Sequence, residues 1–136
     1  MVKAVAKWIE NVRSVVDNAR KHSIVLDLPE GQDGDDTGAT ALELAVMGLA
    51  GCALTIFADV AKKSNVKIKK LEVVAEAEKA QDAPKLKNVE LKISVAADAR
   101  PQKLRAIWRR TEANCPVLSI FQDANPIKAE LNVIEE

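Results

Sequence analysis

Residues 44–58 are the longest apolar segment of the chain, and the core has to be built around them. Apolar residues fall on almost every side of a helical projection, which is typical of a helix buried on more than one side. The segment is short for the roughly 20 residues that span a membrane, and Gly48, Gly51 and Thr55 interrupt it. A glycine costs about 1 kcal/mol relative to alanine inside a helix, so we expect Gly48 and Gly51 to let another element approach closely.

Capping signals set the two ends of this helix. Thr40 and Glu43 match a capping box, in which each side chain accepts a hydrogen bond from the other residue's amide. At the other end Lys62 and Lys63 complement the negative end of the helix dipole, and Asn65 is a typical stop residue. The sequence therefore predicts a helix from Thr40 to about Lys63.

The remaining segments alternate between strand and helix patterns, separated by turn signals. Strands are predicted at residues 2–9, 12–16, 22–28, 66–80, 86–97 and 127–134, a loop at 29–38, a second helix from Pro101 and a short third helix from Cys115-Pro116 to about residue 123. No repeat or linker divides the chain. We predict a single α+β domain over residues 1–136.

Composition excludes several classes of function. The chain is 48% apolar and 29% charged with a formal net charge of zero, so it has no basic surplus for nucleic acid or an anionic membrane. Residues 1–8 do not resemble an export signal, and we expect a cytoplasmic protein. In a reducing compartment two cysteines are more often reactive thiols or core residues than a permanent bridge.

The two cysteines differ in their predicted surroundings. Cys52 lies in the middle of the apolar helix, where burial raises a thiol pKa and makes it inert. Cys115 precedes Pro116, which favours the first position of a helix, so its sulfur can accept from the amides of Val117 or Leu118. These contacts stabilise a thiolate. The pattern alone favours Cys115 as the nucleophile, with a stabilising helix cap as the equal alternative.

Other polar residues give weaker signals. His22, the only histidine, shares a predicted strand face with apolar residues and is more often a hydrogen-bonded rim residue than a base. Two cysteines and one histidine are too few for a closed zinc site. The loop begins like a calcium site at Asp33 and Asp35, but Leu44 stands where the twelfth-position glutamate is required. We predict no metal site.

Three segments of the chain form a pattern when they are read together: residues 40–52, which end in Gly51-Cys52, the segment from His22 to Asp27, and Asn114-Cys115-Pro116. Together they resemble the OsmC/Ohr family of osmotically inducible and organic hydroperoxide resistance proteins, in its OsmC-like subgroup. The first is similar to the signature helix of that family, the second to its His-x-Ile-x-x-Asp strand and the third to its second cysteine motif. The motifs follow the order of the family and cover nearly the whole chain.

This resemblance implies an α+β fold, with antiparallel sheets wrapped around central buried helices in an intertwined homodimer. It also implies a cysteine-based hydroperoxide reductase. Cys52 would be the peroxidatic thiol, which becomes a sulfenic acid, and Cys115 the resolving thiol, which converts it to a disulfide. An external dithiol would reduce that disulfide, and no bound cofactor is implied. The family implies organic hydroperoxides in preference to hydrogen peroxide.

Ohr-type members activate the peroxidatic thiol with an arginine from the N-terminal strands and a glutamate in the signature helix. Arg13 is the best positional match for the arginine, with Arg20 as its rival. Glu43 matches the OsmC-like pattern, as a residue that positions the arginine or as a helix cap, whereas the Ohr-type glutamate position holds Leu42.

Two other functions stay open at this point. One is a non-catalytic OsmC-like protein that binds a small apolar ligand or acts as a stress-related dimer. The other is a structural role, in which the cysteines form a stable bridge or never meet.

Overall fold

The computed structural model describes residues 1–123 and 125–134 of the chain. Its elements are β1 (Val5–Glu10), β2 (Arg13–Asp17), β3 (Ser23–Leu26), a 3-10 turn (Glu30–Gln32), α1 (Ala41–Lys63), β4 (Ile68–Lys79), β5 (Leu86–Ala97), α2 (Pro101–Asn114) and α3 (Pro116–Gln122). The predicted α+β class is confirmed, and most boundaries differ from the predicted ones by only a few residues. The prediction of a single domain over residues 1–136 stays a prediction.

The C-terminal segment is the exception to this agreement. The sequence predicts a strand over residues 127–134, but residues 125–134 have no regular secondary structure, so that prediction is wrong. Ile127 and Leu131, on which the strand pattern depends, are 90% and 88% exposed. An alternating pattern forms a strand only where a neighbour pairs with it, and no strand among the described residues does so.

The strands form two sheets. One has the order β1-β2-β3 with antiparallel neighbours, and the other pairs β4 with β5. In the first sheet Arg13 lies opposite Glu10, next to a register irregularity between Trp8 and Glu10. Leu26, the last residue of β3, forms an isolated bridge to Ala39. The loop at residues 28–39 therefore begins and ends beside the end of β3.

Two glycines make this loop compact. A Cβ at Gly34 would collide with the backbone of Leu28, and one at Gly38 would collide with the backbone of Val25. By contrast, nothing lies within 4 Å of a Cβ built at Gly31. The loop can therefore follow the end of β3 closely only because Gly34 and Gly38 lack side chains.

Helix α1 begins and ends at the predicted signals. The Thr40 amide donates to Glu43 Oε1 at 2.9 Å, and the Glu43 amide donates to Thr40 Oγ1 at 3.0 Å. At the other end Asn65 has φ 57°, while the Val66 amide donates to the Ala61 carbonyl oxygen at 2.8 Å. This is the Schellman arrangement, with asparagine at the left-handed position that usually holds glycine.

The burial of α1 is less complete than its composition predicts. Leu49 is fully buried and Phe57 is 1% exposed, but Met47 is 58% exposed. Apart from the backbone of α1 itself and the two adjacent residues, no atom lies within 4 Å of a Cβ built at Gly48 or Gly51, so within the described residues the predicted close approach of another element is not found. By length and composition alone α1 is sufficient to span a membrane, a criterion that core helices of soluble proteins also meet.

The chain divides into two compact units. The first unit comprises Met1–Ala50 with Ala75–Leu91, and the second comprises Gly51–Val74 with Lys92–Glu136. The core of the second unit is built on five buried residues from α1, the segment between α1 and β4, and α2: Phe57, Val60, Ala61, Val66 and Ile107. Both cysteines belong to this second unit.

Candidate dithiol site

The two cysteines meet in the fold although 63 positions separate them in sequence. The Sγ atoms of Cys52 and Cys115 are hydrogen-bonded at 3.0 Å, and both residues are free thiols. The S–S bond of a disulfide is about 2.05 Å long, so the sulfur atoms need to approach by only about 1 Å to form one.

Regular elements hold both thiols in place. Cys52 lies within α1, next to Ala53, which is 1% exposed. Cys115 is the single extended residue between α2 and α3, with φ −82° and ψ 108°. Pro116 accounts for this break, because the residue before a proline is driven out of the helical region. One turn earlier, the Thr111 hydroxyl donates to the Ile107 carbonyl oxygen at 2.8 Å and fixes this buried face of α2.

The exposure of Cys52 differs from the sequence-based expectation of a buried residue. Cys115 is only 4% exposed, whereas Cys52 is half-buried. The apolar pattern of α1 predicts burial of Cys52, because it cannot show that one side of the helix stays partly open. A small molecule from solvent therefore has better access to Cys52 than to Cys115.

Opposing effects act on the ionisation of Cys52. Burial raises the pKa of the Cys52 thiol, and the hydrogen bond with Cys115 also raises it, while a hydrogen bond from the Val117 backbone amide lowers it. Repulsion from Cys115 adds to the upward effects, because two thiols in contact do not ionise together easily.

The Val117 contact corrects one sequence-based prediction. The sequence predicts that the Cys115 sulfur accepts from the amide of Val117 or Leu118, but Cys115 makes no side-chain capping hydrogen bond at the start of α3. The Val117 amide acts instead on the Cys52 thiol, whose pKa it lowers. The Cys115 side chain is turned towards Cys52, and no local signal in the sequence could reveal that contact.

Arg13 lies in a cluster of carboxylates in the first unit. Its guanidinium contacts Asp35 Oδ2 at 2.9 Å and Glu10 Oε1 at 3.2 Å, and its Nε atom lies 3.7 Å from Asp27 Oδ2. The Arg13 side chain is 21% exposed, and its Nε is buried with no hydrogen-bond partner among the described residues. Arg20, the rival candidate, is exposed in the turn between β2 and β3.

Asp27 is the buried centre of this cluster. The Thr37 hydroxyl and amide donate to its Oδ2 at 2.6 and 3.0 Å, and the Leu28 amide donates to its Oδ1 at 2.8 Å. These hydrogen bonds, led by the one from the Thr37 hydroxyl, hold the pKa of the Asp27 carboxyl well below its usual range although burial opposes them. The sequence places Asp27 in a motif but contains no sign of the Thr37 contact.

Two further candidates make local contacts. Glu43 accepts the Thr40 amide in the capping box, and the polar partners that Arg13 has among the described residues do not include Glu43. His22 is exposed, with its Nδ1 3.0 Å from Asn18 Nδ2, as expected of a hydrogen-bonded rim residue.

Two free thiols in contact, one from a central helix and the other from a helix junction, define an α+β protein with a vicinal dithiol site. A family model described as OsmC-like protein matches residues 34–130 of the chain. The chain therefore belongs to the OsmC family, and the resemblance seen in its sequence is confirmed.

Solved structures support the same fold. The chain is similar to an OsmC-like protein from Mycoplasma pneumoniae, with 17% identity, a TM-score of 0.79 and coverage of 90% of this chain and 87% of that one. Organic hydroperoxide resistance proteins from Legionella pneumophila and Elizabethkingia anophelis each have 16% identity and cover 88% of this chain. Their TM-scores are 0.58 and 0.60, with 87% and 86% of the other chain covered. At these identities the likeness concerns the fold, and no curated protein matches.

Proposed function

We propose that this protein is a thiol-dependent peroxidase that reduces organic hydroperoxides, and hydrogen peroxide less readily, through Cys52 and Cys115. The observation that carries the proposal is the 3.0 Å distance between the two sulfur atoms of free cysteines. Two thiols in contact can close to a disulfide by a short movement of their sulfur atoms. Membership of the OsmC family, some of whose members are named for organic hydroperoxide resistance, supports the same chemistry.

The proposed cycle has three balanced steps. The Cys52 thiolate attacks the distal oxygen of the hydroperoxide, the O–O bond breaks, and the products are a Cys52 sulfenic acid and an alcohol that takes the thiol proton. The Cys115 sulfur then attacks the Cys52 sulfur and releases water, forming the disulfide. An external dithiol reduces the disulfide by exchange and is itself oxidised, which returns both thiols without a bound cofactor.

The assignment of Cys52 as the attacking thiol is supported by its access and its hydrogen bonding. Cys52 is the more exposed of the two cysteines, and the backbone amide of Val117 lowers the pKa of its thiol. Because burial raises its pKa, the thiolate needs a further stabilising charge, and we propose that Arg13 supplies it. Glu43 would either position this arginine or act only as the helix cap.

The cysteine roles are tested by single-turnover chemistry. Reduced protein is mixed with cumene hydroperoxide or hydrogen peroxide, and thiol loss is followed by stopped flow and mass spectrometry. We expect a fast Cys52–Cys115 disulfide in the wild type, a trapped sulfenic acid on Cys52 in Cys115→Ser and no fast phase in Cys52→Ser. Thiols that react no faster than free cysteine would refute the peroxidase, and a fast sulfenic acid on Cys115 in Cys52→Ser would reverse the roles.

The role of Arg13 is tested by thiolate formation. In the Cys115→Ser background, the rate of Cys52 alkylation by iodoacetamide is measured against pH. Arg13→Ala should move the midpoint to higher pH, because a stabilising positive charge is lost, whereas Arg20→Ala serves as the matched control and should leave it unchanged. If the midpoint is unchanged in Arg13→Ala, Arg13 does not stabilise the Cys52 thiolate and interacts only with the carboxylates of its own cluster.

We further propose that the working form is a cytoplasmic homodimer, in which a second copy covers the open face of α1. Leu42 and Met47 are 41% and 58% exposed there, beside a groove of about 640 Å³, and Gly48 and Gly51 face open space. Contiguous exposed apolar surface is a common feature of protein interfaces. Sedimentation velocity should give a dimer that Gly48→Leu weakens, and a monomer at every concentration would contradict the proposal.

A further inference from the structure

A small slot in the second unit lies beside the core. Its volume is about 250 Å³. It is lined by Phe57, Ile93, Val95, Leu104, Arg105 and Trp108. Neither cysteine lines it, so it is a site separate from the dithiol.

The walls of the slot are apolar and come from regular elements. Ile93 and Val95 are two positions apart on β5, so their side chains leave the same face of the strand. Leu104 and Trp108 are one turn apart on α2, and both pack against the buried core cluster that contains Phe57. Such walls are already formed before any ligand binds, as is usual for small-molecule sites.

Arg105 is the one charged residue in the lining. Its side chain is exposed, and it takes part in no ion pair among the described residues. The next turn of α2 adds Arg109 and Arg110, while the acid of this helix, Glu112, lies seven positions after Arg105. The slot therefore combines an apolar interior with an unpaired guanidinium, and a carboxylate is the anion whose geometry a guanidinium matches best.

The size of the slot limits its ligand. A volume of 250 Å³ equals that of roughly eight water molecules at about 30 Å³ each, which suits a ligand of about ten non-hydrogen atoms. We propose that this slot binds an amphipathic monocarboxylate of medium chain length, with its alkyl chain between Phe57 and Trp108 and its carboxylate on Arg105. The charge of Arg105 selects the acid over the corresponding alcohol.

Tryptophan fluorescence gives a direct test, because Trp108 lines the slot and Trp8 is the only other tryptophan. In a Trp8→Phe background, octanoate and octanol are titrated into the reduced protein, with no peroxide present. We expect a saturable change in Trp108 emission with octanoate and weaker binding of octanol. Arg105→Ala should weaken octanoate binding by about two- to fivefold, the effect of removing an ion pair with an exposed guanidinium.

The matched control is Arg109→Ala, an exposed arginine one turn along α2 that does not line the slot. It should leave octanoate affinity unchanged, and Arg105→Lys should retain part of it. The proposal is overturned if no saturable change occurs, if octanol binds as tightly as octanoate, or if both alanine variants weaken binding equally. Since no thiol chemistry is measured, these outcomes are independent of the proposed peroxidase activity.

Discussion

Replacement of Thr40 by alanine removes one half of the capping box at the start of α1. The Thr40 hydroxyl accepts the Glu43 amide at 3.0 Å, and without it that amide joins the unsatisfied donors of the first helical turn. The site is exposed, so water replaces part of the lost bond. We therefore expect Thr40→Ala to lower the free energy of unfolding by about 1 kcal/mol, the usual effect of losing a threonine cap.

Thermal and urea denaturation followed by circular dichroism measure this change. For a chain of this size, 1 kcal/mol corresponds to a decrease in Tm of about 4 °C. Thr40→Ser is the matched control, because it keeps the hydroxyl and should remain close to the wild type. If Thr40→Ala melted within about 1 °C of the wild type, the hydrogen bonds seen at this helix start would not stabilise the fold as argued.

The same capping box allows the two roles of Glu43 to be separated. Glu43→Gln keeps an oxygen that can accept the Thr40 amide but removes the charge. Because the cap is the contact that Glu43 makes, we expect this variant to leave the pH midpoint of Cys52 alkylation unchanged. Thr40→Ala serves as the control for lost stability alone. A shift in Glu43→Gln in the same direction as in Arg13→Ala would instead make Glu43 a positioning residue.

Three further changes follow from the backbone and the buried carboxylate. Gly34→Ala should destabilise by about 1–3 kcal/mol in urea, because its Cβ would collide with the backbone of Leu28, whereas Gly31→Ala, which faces open space, should change stability by less than about 0.5 kcal/mol. Asn65→Ala should lose about 1 kcal/mol on thermal unfolding, because φ is 57° there, while Asn65→Gly should not. The depressed pKa of Asp27 stabilises the fold fully above the unfolded pKa of about 3.9, and that stability is lost as pH falls further. Urea midpoints between about pH 5 and 3 should therefore fall less steeply in Asp27→Asn.

Each of these expectations has a result that contradicts it. Equal stability of Gly34→Ala and Gly31→Ala would mean that the loop relaxes around an added methyl group. An Asn65→Ala variant as stable as Asn65→Gly would remove the argument from the left-handed backbone. Identical pH dependence in the wild type and Asp27→Asn would show that hydrogen bonding to Asp27 does not favour the charged form.

Features that depend on neighbours in sequence could be predicted from the sequence. The capping box at Thr40, the stop at Asn65 and the helix starts at Pro101 and Pro116 each rest on a few adjacent residues, and each is present. The strand predicted over residues 127–134 fails for the opposite reason. Its alternation is local, but a strand requires a partner from elsewhere in the fold, and no pattern within the segment specifies one.

In the candidate site, too, the features that depend on contacts between distant residues could not be predicted from the sequence. The family resemblance identified Cys52 and Cys115, but their contact joins residues 63 positions apart, and only the packing of α1 against the α2–α3 junction brings it about. Partial burial of Cys52 and full burial of Cys115 are also tertiary properties. The Thr37–Asp27 hydrogen bonds likewise depend on a loop that Gly34 and Gly38 keep close to β3.

The backbone amide that is expected to stabilise a thiolate at the start of α3 is present, but it acts on the Cys52 sulfur and not on the Cys115 sulfur. Local reasoning assigned the stabilising amide to Cys115, because Cys115 precedes Pro116 in sequence. In the fold that amide, from Val117, serves Cys52, while Cys115 provides the second sulfur at 3.0 Å. One helix start thus supplies both the donor and the neighbouring thiol of Cys52. In the proposed peroxidase cycle, the reactivity of Cys52 and its capture by Cys115 would therefore depend on the same structural element, and a displacement of α3 would impair both steps together.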